Sequence, residues 1–144
     1  MNQISAVFCR DHSIGTPILR AAMWSPWSHV APIIEDEPDC IIDATLFRGV
    51  QRRSKSGLLL HASKCEIRHF DCPSPQAAYD FARSQIGKRY DYAGVVGIGL
   101  RRDWQQDDAW FCSELFEAML AAGGNPRFVR NAGRVTVQHS WMVR

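Results

Sequence analysis

Cys112 stands in the run Trp110-Phe-Cys-Ser-Glu-Leu-Phe-Glu-Ala-Met-Leu120, just ahead of apolar residues at helical spacing: Leu115, Phe116, Met119 and Leu120. The pattern predicts an amphipathic helix with the thiol in its first turn and Gly123-Gly124 as its C-terminal stop. A helix N-terminus leaves backbone N–H groups unpaired and carries partial positive charge. Both features favour a reactive thiolate and offer donors to an oxyanion. Such a nucleophile needs an imidazole to take and return a proton, and a third polar group to orient that imidazole. Of five histidines, His29 opens a β-type run directly after the turn Trp24-Ser-Pro-Trp27-Ser. Asp43 is set among Ile41, Ile42 and Ala44, where a carboxylate without a partner is costly. A hairpin between residues 29–34 and 40–45 brings Asp43 beside the His29 ring. The plainer alternatives are a small apolar core residue for Cys112, a surface histidine for His29, and a strand-end carboxylate bonded to turn backbone for Asp43.

Two other constellations compete. His139 lies downstream of the cysteine but close to the C-terminus, with little chain left to build strands between them. His61, Cys65 and His69 are spaced by four; on a strand they share a side but spread apart, and tetrahedral zinc needs a fourth ligand. The expectation is therefore no metal and no cofactor. Asp11-His12 belongs to a loop ahead of the first helix. Trp24 and Trp27 flank the approach to His29 and are candidates to line a substrate groove.

The elements that must position these groups are short. Ile4–Cys9 is β-type, and Thr16-Pro17 caps a short helix through Met23. His29–Ile34 is strand-like, with Pro32 marking an edge or a bulge. Glu35–Asp39 is an acidic turn and Cys40–Thr45 the returning strand. Further strands are expected near Gly49–Arg53 and Cys65–Phe70, the latter with Cys65, Ile67 and His69 on the half-buried side. Pro75–Ile86 is a helix ended by Gly87, residues 89–108 are irregular, and Val135-Thr-Val137 supplies a last short strand. The sum is a small α+β domain, a mostly antiparallel sheet packed against about three helices.

The chain of 144 residues fits a single domain spanning 1–144, with 46% hydrophobic and 22% charged residues. Its formal net charge of +2 and scattered basic residues argue against a nucleic-acid partner; Arg52-Arg53 and Arg101-Arg102 are expected to be solvated loops. Five cysteines, an odd number without Cys-x-x-Cys spacing, do not form a disulfide framework and fit a reducing compartment. The start lacks the pattern of a signal peptide, and no stretch reaches the length of a membrane span, so a cytoplasmic location without membrane insertion is expected.

Taken together, Trp-Ser-His29-Val-Ala, Ile-Ile-Asp43-Ala, Tyr90-Asp-Tyr-Ala-Gly and Phe-Cys112-Ser-Glu-Leu resemble the NlpC-type papain-like superfamily. The order His, acid, Cys is similar to its circularly permuted branch, which includes YiiX-like proteins and lecithin retinol acyltransferase. The resemblance covers roughly Phe8 to Ala122. It implies a papain-like core with Cys112 as nucleophile, His29 as general base and Asp43 as the orienting residue. Tyr90 falls at the place of a tyrosine that assists the oxyanion, and Ser113 and Trp27 are expected with it around the substrate. The implied activity is hydrolysis of an amide, as in a peptide or cell-wall peptide, or of an ester, through an acyl-enzyme. Acyl transfer on lipid substrates and a non-catalytic papain-like binding module are the alternatives.

Overall fold

The apolar run near the N-terminus forms β1 (Gln3–Arg10), the middle strand of a three-stranded antiparallel sheet with β2 (His29–Pro32) on one side and β5 (Lys64–Asp71) on the other. The computed structural model describes residues 2–10, 26–45, 48–90, 109–128 and 136–143. Strand β1 is buried on both faces. Ile4, Ala6 and Phe8 enter the main core, while Val7 and Cys9 join a smaller cluster with Ala31, Ile33, Ile41 and Leu58. Two separate two-stranded sheets accompany it: antiparallel β3 (Cys40–Thr45) with β4 (Gly49–Ser54), and parallel β6 (Arg89–Tyr90) with β7 (Ala109–Trp110).

Backbone contacts join the three pieces. Ile33 bridges Ile41 between β2 and β3, and Val50 donates to Lys88 O at 2.8 Å beside β6. The second junction depends on Gly49, whose φ is 67° and where a Cβ would lie 2.2 Å from Lys88 O. Only glycine lets the start of β4 pass so close to the backbone leading into Tyr90.

Four helices are present among the described residues: α1 (Lys55–His61), α2 (Pro75–Ser84), α3 (Cys112–Ala122) and α4 (Val137–Met142). The architecture is α+β with antiparallel sheets and the short parallel β6–β7 pair. Helix α3 lays Leu115, Phe116, Met119 and Leu120 against Ile4, Phe8 and Phe70, each fully buried side chain contributing about 1.5–3 kcal/mol. It ends as the glycines direct: Gly124 takes φ 92°, and Gly123 sits where a Cβ would lie 2.2 Å from Cys72 Sγ. A buried ion pair of Glu117 with Arg127, joined by Ser140 Oγ at 2.6 Å from Glu117, fastens α4 to α3. Among the described residues no helix is long and apolar enough to cross a membrane.

Several expectations need correction. The hairpin of residues 29–34 and 40–45 is held by the single Ile33–Ile41 bridge and by Ile34 N–H donating to Cys40 O at 2.9 Å. The next bond of that ladder would have to come from the nitrogen of Pro32, which has no hydrogen. Val137 begins helix α4 rather than ending a strand, because Thr136 accepts the His139 N–H at its Oγ1 and so caps a helix. In β5 the expected side holds only at Cys65, which is half-buried; toward the end of the strand Phe70 is buried instead and Ile67 is 44% exposed, as suits an outer strand. Helix α2 stops at Ser84, leaving Ile86 exposed beyond it. The helix expected at 16–23, Trp24 and the irregular stretch 91–108 lie outside the described residues.

Candidate active site

His29 sits at the start of β2, where α3 abuts both β2 and β3. Its Nε2 lies 2.6 Å from Asp43 Oδ2, and the side chains are 13% and 0% exposed. The Ile33–Ile41 bridge fixes why. It places residues 29, 31 and 33 on the same face as 41 and 43, so Asp43 is the diagonal neighbour of His29 although the ladder itself is not continued. A carboxylate accepting at Nε2 holds the proton on that nitrogen. The other ring nitrogen, Nδ1, is left for Cys112, whose side chain hydrogen-bonds the ring.

These contacts set the charge of the ring. Burial alone pushes the His29 pKa down, but the hydrogen bonds to Asp43 and Cys112, with the charges behind them, outweigh it and raise the value from 6.5 to about 10. The imidazole is thus a strong proton acceptor held between a carboxylate and a sulfur.

Asp43 has a second partner that the sequence did not reveal. Arg53 Nη1 donates to the same Oδ2 at 2.9 Å. Asp43 pairs with Gln51 in the β3–β4 register, so Arg53, two residues on, is its diagonal neighbour. The Arg52-Arg53 run is therefore no solvated loop: both residues lie on β4, and Arg52 forms a two-bonded pair with Glu37, at 3.0 and 3.1 Å. The signal was available in the parity of β4, had that strand been registered against Asp43.

Cys112 is the first residue of α3 and is 2% exposed. The turn that presents it is braced by Glu114, whose fully buried carboxylate accepts the Phe111 N–H at 3.2 Å. A glutamate at the third helical position doing this is half of a capping box, a sequence signal overlooked in Cys-Ser-Glu. Ser113 is buried beside the thiol. Tyr90 is buried too, its backbone paired with Trp110 and its ring edge-on to Phe111 at 5.9 Å. The residue preceding the cysteine thus carries Tyr90 to the neighbourhood of the helix N-terminus. Trp27 is 2% exposed and packs its ring on Phe8 and Trp141 at 6.5 and 4.8 Å. It is a wall of the core behind β2, not the lining of an open groove.

The rival groups lie in other arrangements. His139 is exposed on α4, with Nδ1 accepting the Thr136 N–H at 3.1 Å. His61 ends α1, whereas Cys65 and His69 are on β5, facing Cys9 and Ser5 respectively. Among the described residues no group of three or more His, Cys, Asp or Glu side chains is placed to hold a metal ion. Asp11-His12 lies outside the described residues. Neither a comparison with protein-family models nor one with curated proteins finds a match to this chain.

Proposed function

We propose that the chain is a cysteine hydrolase acting on an amide or ester carbonyl, on a papain-like core of the permuted NlpC type. The observation that carries this reading is the His29 ring held between Asp43 at 2.6 Å and the Cys112 thiol at the head of α3. His29 holds the proton between Asp43 and Cys112, and the Cys112 sulfur attacks the carbonyl carbon. The tetrahedral oxyanion sits against the Cys112 backbone N–H, with Tyr90 and Ser113 beside it. His29 returns the proton to the leaving amine or alcohol, and an acyl-enzyme remains. Water then completes hydrolysis; an amine or alcohol acceptor completes transfer. Asp43, held in turn by Arg53, keeps the ring in the tautomer this sequence requires. The substrates that fit are small peptides, amides and lipid esters. Five cysteines, none of them in a disulfide, suit work in the cytoplasm.

The test begins with thiol reactivity at mildly acidic pH. Cys112 is expected to alkylate faster than the other four cysteines, and His29→Ala to slow it. Intact-mass detection of an acyl adduct across peptide, amide and lipid-ester panels, lost in Cys112→Ala, then assigns the carbonyl class. Uniform labelling of all five cysteines would sink the activated nucleophile and leave a papain-like binding module.

A further inference from the structure

Cys9 and Cys65 face each other across β1 and β5, at directly opposed positions of the antiparallel register. Which kind of position this is follows from the backbone bonds. Ile33 donates to Ser5 O toward β2, and Cys72 donates to Asn2 O toward the β5 side, both at 2.8 Å. The alternation therefore turns the odd-numbered backbone groups of β1 to β2 and the even-numbered ones to β5. Cys9 and Cys65 form a pair without mutual backbone bonds, the kind in which Cα atoms approach to about 4.5 Å and side chains are closest. That separation falls inside the range a disulfide spans, about 4.4–6.8 Å. The Cys65 side chain already hydrogen-bonds Cys9. Exposure divides the five cysteines in the same sense: Cys65 is partly exposed, and Cys9, Cys40, Cys72 and Cys112 are buried.

We infer that Cys65 and Cys9 are a two-cysteine oxidation site, Cys65 meeting a hydroperoxide and Cys9 resolving it as a cross-strand disulfide. The Cys65 sulfur attacks the peroxide oxygen; the O–O bond breaks, one oxygen stays as the sulfenic acid and the other leaves as water or alcohol. The Cys9 sulfur then attacks the Cys65 sulfur. An S–S bond forms, the S–O bond breaks, and a second water carries off the hydroxyl with the Cys9 proton. The two thiols together lose two electrons and the hydroperoxide gains them. Burial holds the Cys65 thiol above its ordinary pKa, with the hydrogen bond to Cys9 opposing it. The partnership thus comes from proximity rather than from an acidic thiol. The site is separate from Cys112 and does not depend on the hydrolase reading, although Cys9 is also the register partner of His29 on β2.

The experiment treats the unaltered chain with hydrogen peroxide and maps its peptides without reduction. The expected product joins the Cys9 peptide to the Cys65 peptide with loss of two hydrogens, reversed by dithiothreitol. Cys9→Ser should leave Cys65 as a sulfenic acid that a dimedone probe captures, whereas Cys65→Ser, at a partly exposed position, should leave Cys9 reduced. Cys65 paired with any other cysteine, or Cys65 oxidised with Cys9 untouched in the unaltered chain, would overturn the inference. So would a chain in which both stay reduced while Cys112 oxidises.

Discussion

Two regions of this molecule bring together an imidazole, a carboxylate and a hydroxyl or thiol, and they differ in which group stands in the middle. At the start of β2 the imidazole is central: His29 gives Nε2–H to Asp43 and turns its other nitrogen to Cys112. Across β1 and β5 the hydroxyl is central: Ser5 Oγ donates to Glu35 and lies 2.8 Å from His69 Nδ1. A hydroxyl has one hydrogen, and Glu35 takes it, so His69 must donate its own to the same oxygen. The ring that would have to act as base toward Ser5 is instead its donor. Glu35 and His69 are also exposed, and His69 lines an open groove of about 670 Å³, whereas Asp43 is sealed from solvent. Residue types alone would rank the two clusters together. Their order of hydrogen bonding suits the first to the proton relay proposed for it and makes the second a polar clasp between strands.

The sharpest way to break this contrast is at the relay's two ends. Cys112→Ala should abolish acyl-enzyme formation, and His29→Ala should reduce acylation by about 10²–10⁴, the usual contribution of a general base. Single-turnover acylation measures both, with the fold checked by circular dichroism. Residual acylation within about tenfold of the parent in His29→Ala would return His29 to a structural role.

Asp43 comes next, and two substitutions separate its duties. Asp43→Asn keeps an acceptor for Nε2–H and should hold acylation within about tenfold, while Asp43→Ala should lose about a hundredfold. Asp43→Ala also strands Arg53 and His29 around an emptied site. Breaking a buried pair from one side destabilises by about 3–5 kcal/mol, readable as a shift in the denaturant midpoint. Equal activity in the two variants would mean that Asp43 does not orient the ring.

The charge state of His29 gives a test that needs no substrate. Its pKa rises from 6.5 to about 10 in the folded chain, so its stabilising contribution is complete below 6.5 and is lost as the pH climbs through about 10. The unaltered chain should therefore lose Tm across that window more steeply than His29→Gln. Parallel curves would show that the ring is not held protonated. Arg53 acts one bond further out, and its effect should be smaller. Arg53→Met should lower acylation by roughly tenfold, about 1.4 kcal/mol, and shift the alkaline limb that His29 sets through their shared partner Asp43, with Arg53→Lys restoring part of both. A change in stability alone, with the profile unmoved, would confine Arg53 to bracing β4.

Much of the His29–Asp43–Cys112 cluster was legible before any coordinates because its members obey local rules. Cys112 is marked by helical spacing and Asp43 by its apolar strand, and parity about the turn puts Asp43 and His29 on one face. Arg53 was missed because its role depends on the β3–β4 register, which no local pattern of Gln51-Arg-Arg-Ser54 reveals. Trp27 was misplaced for a related reason: an aromatic beside a candidate base looks the same in sequence whether it lines a groove or backs a core. The strand expected at 135–137 failed where a threonine cap overrode β-branched propensity. Strand β5 formed with Cys65 on the half-buried side as expected, but Ile67 and His69 did not follow, because alternation tells that two faces differ but not which one the core takes along the whole strand. The papain-like resemblance rests on the four short motifs, and the α+β order of elements is compatible with it without being particular to it.

The smallest expected effect tests the other half of the comparison. Ser5→Ala removes the middle of the clasp and should leave acylation within about twofold, since no proton on its route passes through β1. The stability change should also be modest, about 1 kcal/mol, near the value of one intramolecular hydrogen bond. It stays at that level because Glu35 and His69 are exposed and can turn to water, whereas Asp43 has no such recourse. Acylation kinetics and urea unfolding on the same preparation separate the outcomes. A tenfold loss of acylation with intact stability would mean that Ser5 takes part in the chemistry, and the order of hydrogen bonding would no longer distinguish the two clusters.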